Sequence, residues 1–72
     1  ALALGPQVQV NAIAPGAILP PPGGDEYFQK VAARIPARRV GSPEEIVKAA
    51  LYLLDSDFVT GEVLLVTGGE HL

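Results

Sequence analysis

The chain has no cysteine, no methionine and no tryptophan, and only two tyrosines and two phenylalanines among its 72 residues. Without cysteine there is no disulfide staple, and with one histidine there is no convincing metal cluster, so no metal site is expected. A reducing cytoplasm suits the missing cysteines and is the expected setting. Basic residues are also scarce: five Lys and Arg against eight Asp and Glu give a net charge of −3. Nucleic-acid recognition rests on a basic surface, so a nucleic-acid partner is not expected. No apolar run approaches the ~18 residues that a membrane span needs, and Ala1-Leu2-Ala3-Leu4 lacks the basic flank of a signal peptide. No membrane partner is expected either.

What the chain does have is apolar residues (49%), eight glycines and seven prolines. Ala1–Leu4 reads as the last turn of a helix closed by Gly5 at positive φ and by Pro6, the end of a helix over 1–5. With no initiating Met, this start is expected to continue a longer chain. Val8–Ala14 alternates Val8, Val10, Ala12 and Ala14 against Gln9, Asn11 and Ile13, which predicts a strand over 8–14. Pro15 is expected to end it, because proline cannot donate to a ladder. Residues 15–41 read as a ligand loop. It holds Pro15-Gly16-Ala17-Ile18, the stiff Pro20-Pro21-Pro22, a Gly23-Gly24 hinge and a helix from an Asp25 cap to about Arg34. That helix carries an apolar stripe of Phe28, Val31, Ala32 and Ile35, with Arg34, Arg38 and Arg39 at its negative pole.

Ser42-Pro43-Glu44-Glu45 predicts a helix over 42–54 opened by a capping box, with Ser42 as cap and Glu45 reaching back to its N–H. Its apolar residues cover most of the circumference, so it is expected to be covered on more than one side. Glu62–Val66 predicts a strand over 62–66 buried on both faces. Two strands joined by a helical crossover should lie parallel. Parallel strands occur almost only in sheets covered on both faces, so 1–72 is expected to be the last part of a larger doubly wound α/β domain. The carboxyl edge of such a sheet is a natural ligand crevice, which singles out Pro15-Gly16.

Val10-Asn11-Ala12-Ile13-Ala14-Pro15-Gly16, Arg39-Val40-Gly41-Ser42-Pro43-Glu44-Glu45-Ile46 and Val59–Gly69 together resemble the C-terminal third of short-chain dehydrogenases/reductases. The Pro15–Pro21 loop looks most like the pteridine-reductase branch. The resemblance implies the last two strands of a Rossmann-type sheet and NAD(P)-dependent hydride transfer, with NADPH as the expected cofactor. It implies that Pro15, Gly16, Ala17 and Ile18 form the cofactor turn, with backbone at Ile18 bonding the nicotinamide carboxamide. Leu19, Pro20 and Tyr27 would then line the substrate side. Where many relatives have a threonine, this chain has Leu19-Pro20, and Thr67 stands in place of the common Asp. The family's catalytic Asn, Ser and Tyr-x-x-x-Lys have no counterpart here: Lys30 follows Tyr27 by three residues rather than four, and no lysine follows Tyr52. No catalytic residue is expected in this chain. The resemblance also implies a homotetramer through helix 42–54 and strand 62–66. The substrate expected is pteridine-like or a carbonyl. A 3-oxoacyl carrier-protein reductase, a sugar or alcohol dehydrogenase, and a non-catalytic oligomerisation module are the competing readings.

Overall fold

Four elements follow one another in a computed structural model that describes residues 1–18 and 23–72: strand β1 (Ala12–Pro15), helix α1 (Asp25–Arg34), helix α2 (Pro43–Asp55) and strand β2 (Val63–Val66). Leu19 and Pro20, two of the expected substrate-side residues, lie outside the described residues. The strands pair in parallel, with Ala12 opposite Val63 and Pro15 opposite Val66.

Pro15 closes the ladder from inside it and does not stop short of it. The flanking donors to β2 are Ala12 N–H, bonded to Glu62 O, and Gly16 N–H, bonded to Val66 O, each at 2.9 Å. In a parallel ladder alternate residues donate to the same neighbour, so even-numbered residues face β2. The proline nitrogen at 15 faces the other way, and its missing N–H costs this pairing nothing. The strand is also shorter than the expected 8–14. Upstream of Ala12 one backbone bond remains, Gly61 N–H to Val10 O (2.8 Å), and side chains make the others: Val10 N–H donates to Thr60 Oγ1 (3.1 Å), Asn11 Nδ2 to Val59 O (2.9 Å), and Glu62 N–H to Asn11 Oδ1 (3.0 Å).

The first residues form turns and not a helix end with a left-handed glycine. Gly5 N–H does return to Ala1 O at 3.0 Å and Val8 N–H to Leu4 O at 2.9 Å, but Gly5 is not among the positive-φ glycines.

Helix α1 opens on Gly24 rather than Asp25, with Phe28 N–H on Gly24 O. Asp25 and Glu26 instead occupy the first turn, where their charge complements the helix dipole. Val31 is fully buried and Ile35 nearly so, while Phe28 and Ala32 are half-buried, so the expected stripe faces inward. At the other end the Arg38 guanidinium donates to the Ala33 carbonyl.

Helix α2 packs on both strands through Ile46, Ala49, Ala50 and Leu53, spaced along one face. Ser42 holds the cap position in an extended conformation and Pro43 the first helical one, but the capping box does not close. Glu45 turns instead to Arg39, whose Nη2 donates to its Oε1 at 3.1 Å. A charge-assisted bond to a guanidinium is stronger than one to a neutral peptide N–H, which accounts for the choice. The opposite face of α2 stays open, with Leu54 81% exposed and Leu51 58%. The expected burial of β2 on both faces is likewise not met within this chain: Val63 and Leu65 point out at 56% and 48% exposure.

Candidate functional site

The turn Pro15–Ile18 leaves the carboxyl end of β1 and is held from two sides. Ala17 N–H donates to Glu70 Oε1 at 3.1 Å, and Gly41 N–H donates to Ala17 O at 2.9 Å. These two bonds pin two successive peptide planes. The second matters most, because Ala17 C=O and Ile18 N–H belong to one planar trans unit and point in opposite directions. Fixing the carbonyl on Gly41 therefore aims the Ile18 N–H away from it.

The backbone donors of the turn can be accounted for one at a time. Pro15 has none, Gly16 gives its N–H to Val66 O, and Ala17 gives its own to Glu70. Among the described residues, the Ile18 N–H meets no acceptor. The expected turn thus keeps one directional donor, at the position singled out in the sequence.

Gly16 is required by close approach. A Cβ there would lie 2.9 Å from both Thr67 Cα and Glu70 Oε1, and 3.1 Å from Thr67 Cβ. The turn is therefore packed against the segment that follows β2. That segment is a compact reversal: Glu70 N–H bonds Thr67 O (3.1 Å), Gly69 N–H bonds Thr67 Oγ1 (3.2 Å), and Thr67 Oγ1 lies 2.7 Å from His71 Nδ1. Gly68 and Gly69 have φ of 65° and 93°, a region that side chains disfavour. Their conformation seats the reversal on the end of α1, with Ala37 N–H on Gly68 O at 2.9 Å.

Two cavities flank the turn, with Ala17 and Ile18 in the wall of each. One, about 290 Å³, is bordered further by Arg39, Gly41, Glu45 and Thr67. The other, about 460 Å³, is bordered by Gly16, Tyr27, Phe28 and Glu70. The structure so brings Pro15, Gly16, Ala17, Ile18 and Tyr27 around one space. Tyr27 is exposed, and its ring centre lies 6.1 Å from that of Phe28.

Glu70 is a site residue that no motif in the sequence singles out. It meets Ala17 across 53 positions, and no local pattern signals such a contact. The arginine cluster disperses: Arg38 caps α1, while Arg39 pairs with Glu45 beside the smaller cavity. Glu44, at the exposed start of α2, has its carboxyl held below its ordinary value by the Ser42 hydroxyl first, then by its own backbone N–H, with Lys48 adding a smaller pull.

Residues 1–71 match the protein family described as Enoyl-(Acyl carrier protein) reductase. The chain is 43% identical over 70 residues to an acetoacetyl-CoA reductase of Synechocystis, an alignment covering 89% of this chain and 29% of that protein. It is 40% identical over 65 residues to carbonyl reductase family member 4 of Xenopus laevis, covering 90% and 28%. Among solved structures it is similar to FolM alternative dihydrofolate reductase 1 from Brucella suis in complex with NADP. There the TM-score is 0.89 at 33% identity, covering 99% of this chain and 29% of that one. The chain spans 24% to 30% of the length of the curated relatives it matches.

Proposed function

The chain belongs to the short-chain dehydrogenase/reductase family, and on that premise we propose that it forms the nicotinamide-side wall of an NADPH-dependent reductase acting on a pteridine-like or carbonyl substrate. Its parallel strands and two helices are a fragment of that family's Rossmann-type α/β fold. The observation that carries the reading is the Ile18 N–H, which meets no acceptor among the described residues, in a turn at the carboxyl edge of the sheet that borders two cavities.

The residues present fit a nicotinamide. A carboxamide needs a directional donor, and a peptide N–H fixed on both sides loses no side-chain freedom when it binds. When bound, the cofactor supplies the hydride. Pro15, Gly16 and Ala17 shape the turn, and Ile18 presents the donor. Ile18 and Phe28 give the larger cavity apolar surface, and Tyr27 borders it on the side assigned to the substrate. The chain holds no Tyr-x-x-x-Lys pair, so the proton transfer belongs to groups outside it. NAD is the alternative cofactor. Two different lines support the two substrate classes: the likeness to FolM for pteridines, and the likeness to carbonyl and acetoacetyl-CoA reductases for ketones, including 3-oxoacyl substrates. The reading includes a cytoplasmic homotetramer assembled through the open faces of α2 and β2.

The test uses the whole protein that carries this chain. Ile18→Pro deletes the N–H, and Ile18→Val keeps it with a similar side chain. Titration with NADPH should show about tenfold weaker binding by I18P and near-normal binding by I18V, the loss expected of one hydrogen bond. Equal binding by both variants, each folded by circular dichroism, sinks the assignment. A panel of dihydropteridines, 3-oxoacyl thioesters and simple ketones then separates the substrate classes.

A further inference from the structure

We propose that Glu70 is a positioning residue for the cofactor turn, holding the Gly16–Ala17 peptide so that the next N–H, that of Ile18, faces the ligand; this rests on the reading of the turn given above. Three observations converge on Glu70. Its Oε1 accepts the Ala17 N–H at 3.1 Å. The same oxygen stands 2.9 Å from where a Cβ of residue 16 would be, so glycine at 16 is what lets the carboxylate come in. The backbone of Glu70 is itself fixed, with its N–H on Thr67 O at 3.1 Å, in a reversal whose Gly68 carbonyl accepts from Ala37 N–H.

The consequence is mechanical. Gly41 fixes the Ala17–Ile18 peptide by its carbonyl, but φ and ψ of Ala17 stay adjustable unless the preceding peptide is fixed as well. Glu70 removes that freedom. Its side chain bonds the turn at Ala17 N–H and borders the larger cavity, so its part is to hold the turn. Through the Gly68-Gly69 reversal it also joins the turn to the end of α1, the helix that carries Tyr27 and Phe28. One carboxylate therefore sets the relation between the cofactor wall and the aromatic wall.

The test uses Glu70→Ala, Glu70→Gln and Glu70→Asp in the whole protein, with NADPH affinity, kcat and the urea midpoint measured for each. E70A should raise the Kd and KM for NADPH about tenfold, and leave kcat within about twofold. E70Q keeps an amide oxygen that accepts from Ala17 N–H, and should stay within about threefold of the wild type, the loss of charge assistance alone. Should E70A fail to fold, E70D carries the test: its shorter carboxylate should weaken NADPH binding severalfold at an unchanged urea midpoint. NADPH affinity unchanged in the folded E70A or E70D variant, or E70Q as impaired as E70A, overturns the inference alone. A wild-type protein that binds neither NADPH nor NADH overturns the functional reading and this inference with it.

Discussion

Residues 1–72 produced alone should not unfold cooperatively as a monomer. The chain exposes 5403 Å² at 7.5 kDa. A folded monomer of that mass exposes about 4,200 Å² by the usual surface scaling, so roughly 1,200 Å² remains uncovered. With somewhat over half of such surface apolar, that withholds roughly 16 kcal/mol of burial at about 25 cal/mol per Å², an upper bound against an extended reference. Whole domains are stable by only about 5–15 kcal/mol, so the deficit is as large as the entire margin. The radius of gyration agrees, at 14.8 Å where a compact chain of this length has about 11 Å. Circular dichroism in increasing urea is the assay, with sedimentation to fix the mass. A gradual, sloping loss of signal is expected. A sigmoidal transition with a slope of about 1 kcal/mol/M from a sedimenting monomer would refute the reasoning.

In the whole protein, Gly16→Ala should lower stability by about 1–3 kcal/mol, read from the urea midpoint, because the Thr67 backbone stands as close to the added Cβ as the Glu70 carboxylate does and, unlike it, cannot swing aside. An unchanged midpoint would mean that the turn and the reversal slide apart freely. Leu51→Glu places a charge on the open face of α2 and should reduce a tetramer to a smaller species by light scattering; an unaltered mass rules that face out as an interface. Arg39→Ala should cost under about 1 kcal/mol, and less still in high salt, since its partner Glu45 is only part-buried. Folding lowers the Glu44 carboxyl below its ordinary 4.5, so what its contacts contribute is present above that value and is lost as pH falls through the folded one. Ser42→Ala removes the largest cause, and carboxyl ¹³C titration should then move Glu44 upward; an unmoved titration would assign the shift to the backbone N–H.

How much of this could be read beforehand depended on the range of the interaction. Parallel pairing of two strands around helices follows from the order of apolar runs and from the crossover they need, and α2 starts where Ser42-Pro43 fixes its first turn. Local signals misled where a distant group competed for the same atom. Glu45 had a capping partner three residues away but found Arg39, and the Val8–Asn11 alternation gave way to bonds from Val10 to Thr60 and from Asn11 to Val59 and Glu62, partners about fifty positions away that meet only in the fold. Proline at 15 looked like a stop because its lost donor is visible in the sequence, whereas the side of the strand on which that donor would point is not. Glu70 left no trace at all, since a lone acidic residue after Gly-Gly fits any solvated tail.

At Gly16 the structure supplies a different reason for glycine from the one the sequence suggests. From the sequence, glycine at a strand exit suggests room for a flat ligand ring. In the structure that room is already filled by Thr67 Cα and the Glu70 carboxylate. Glycine serves the site by letting the protein approach itself. That approach consumes the Ala17 N–H, while β2 consumes the Gly16 N–H and Pro15 has none to give. Among the described residues, the N–H groups at positions 15 to 17 are thereby absent or already bonded, and that of Ile18 belongs to a peptide held by Gly41. A donor fixed before binding loses little entropy on binding, so on the proposed reading the turn would draw its selectivity from the bonds the fold has already made.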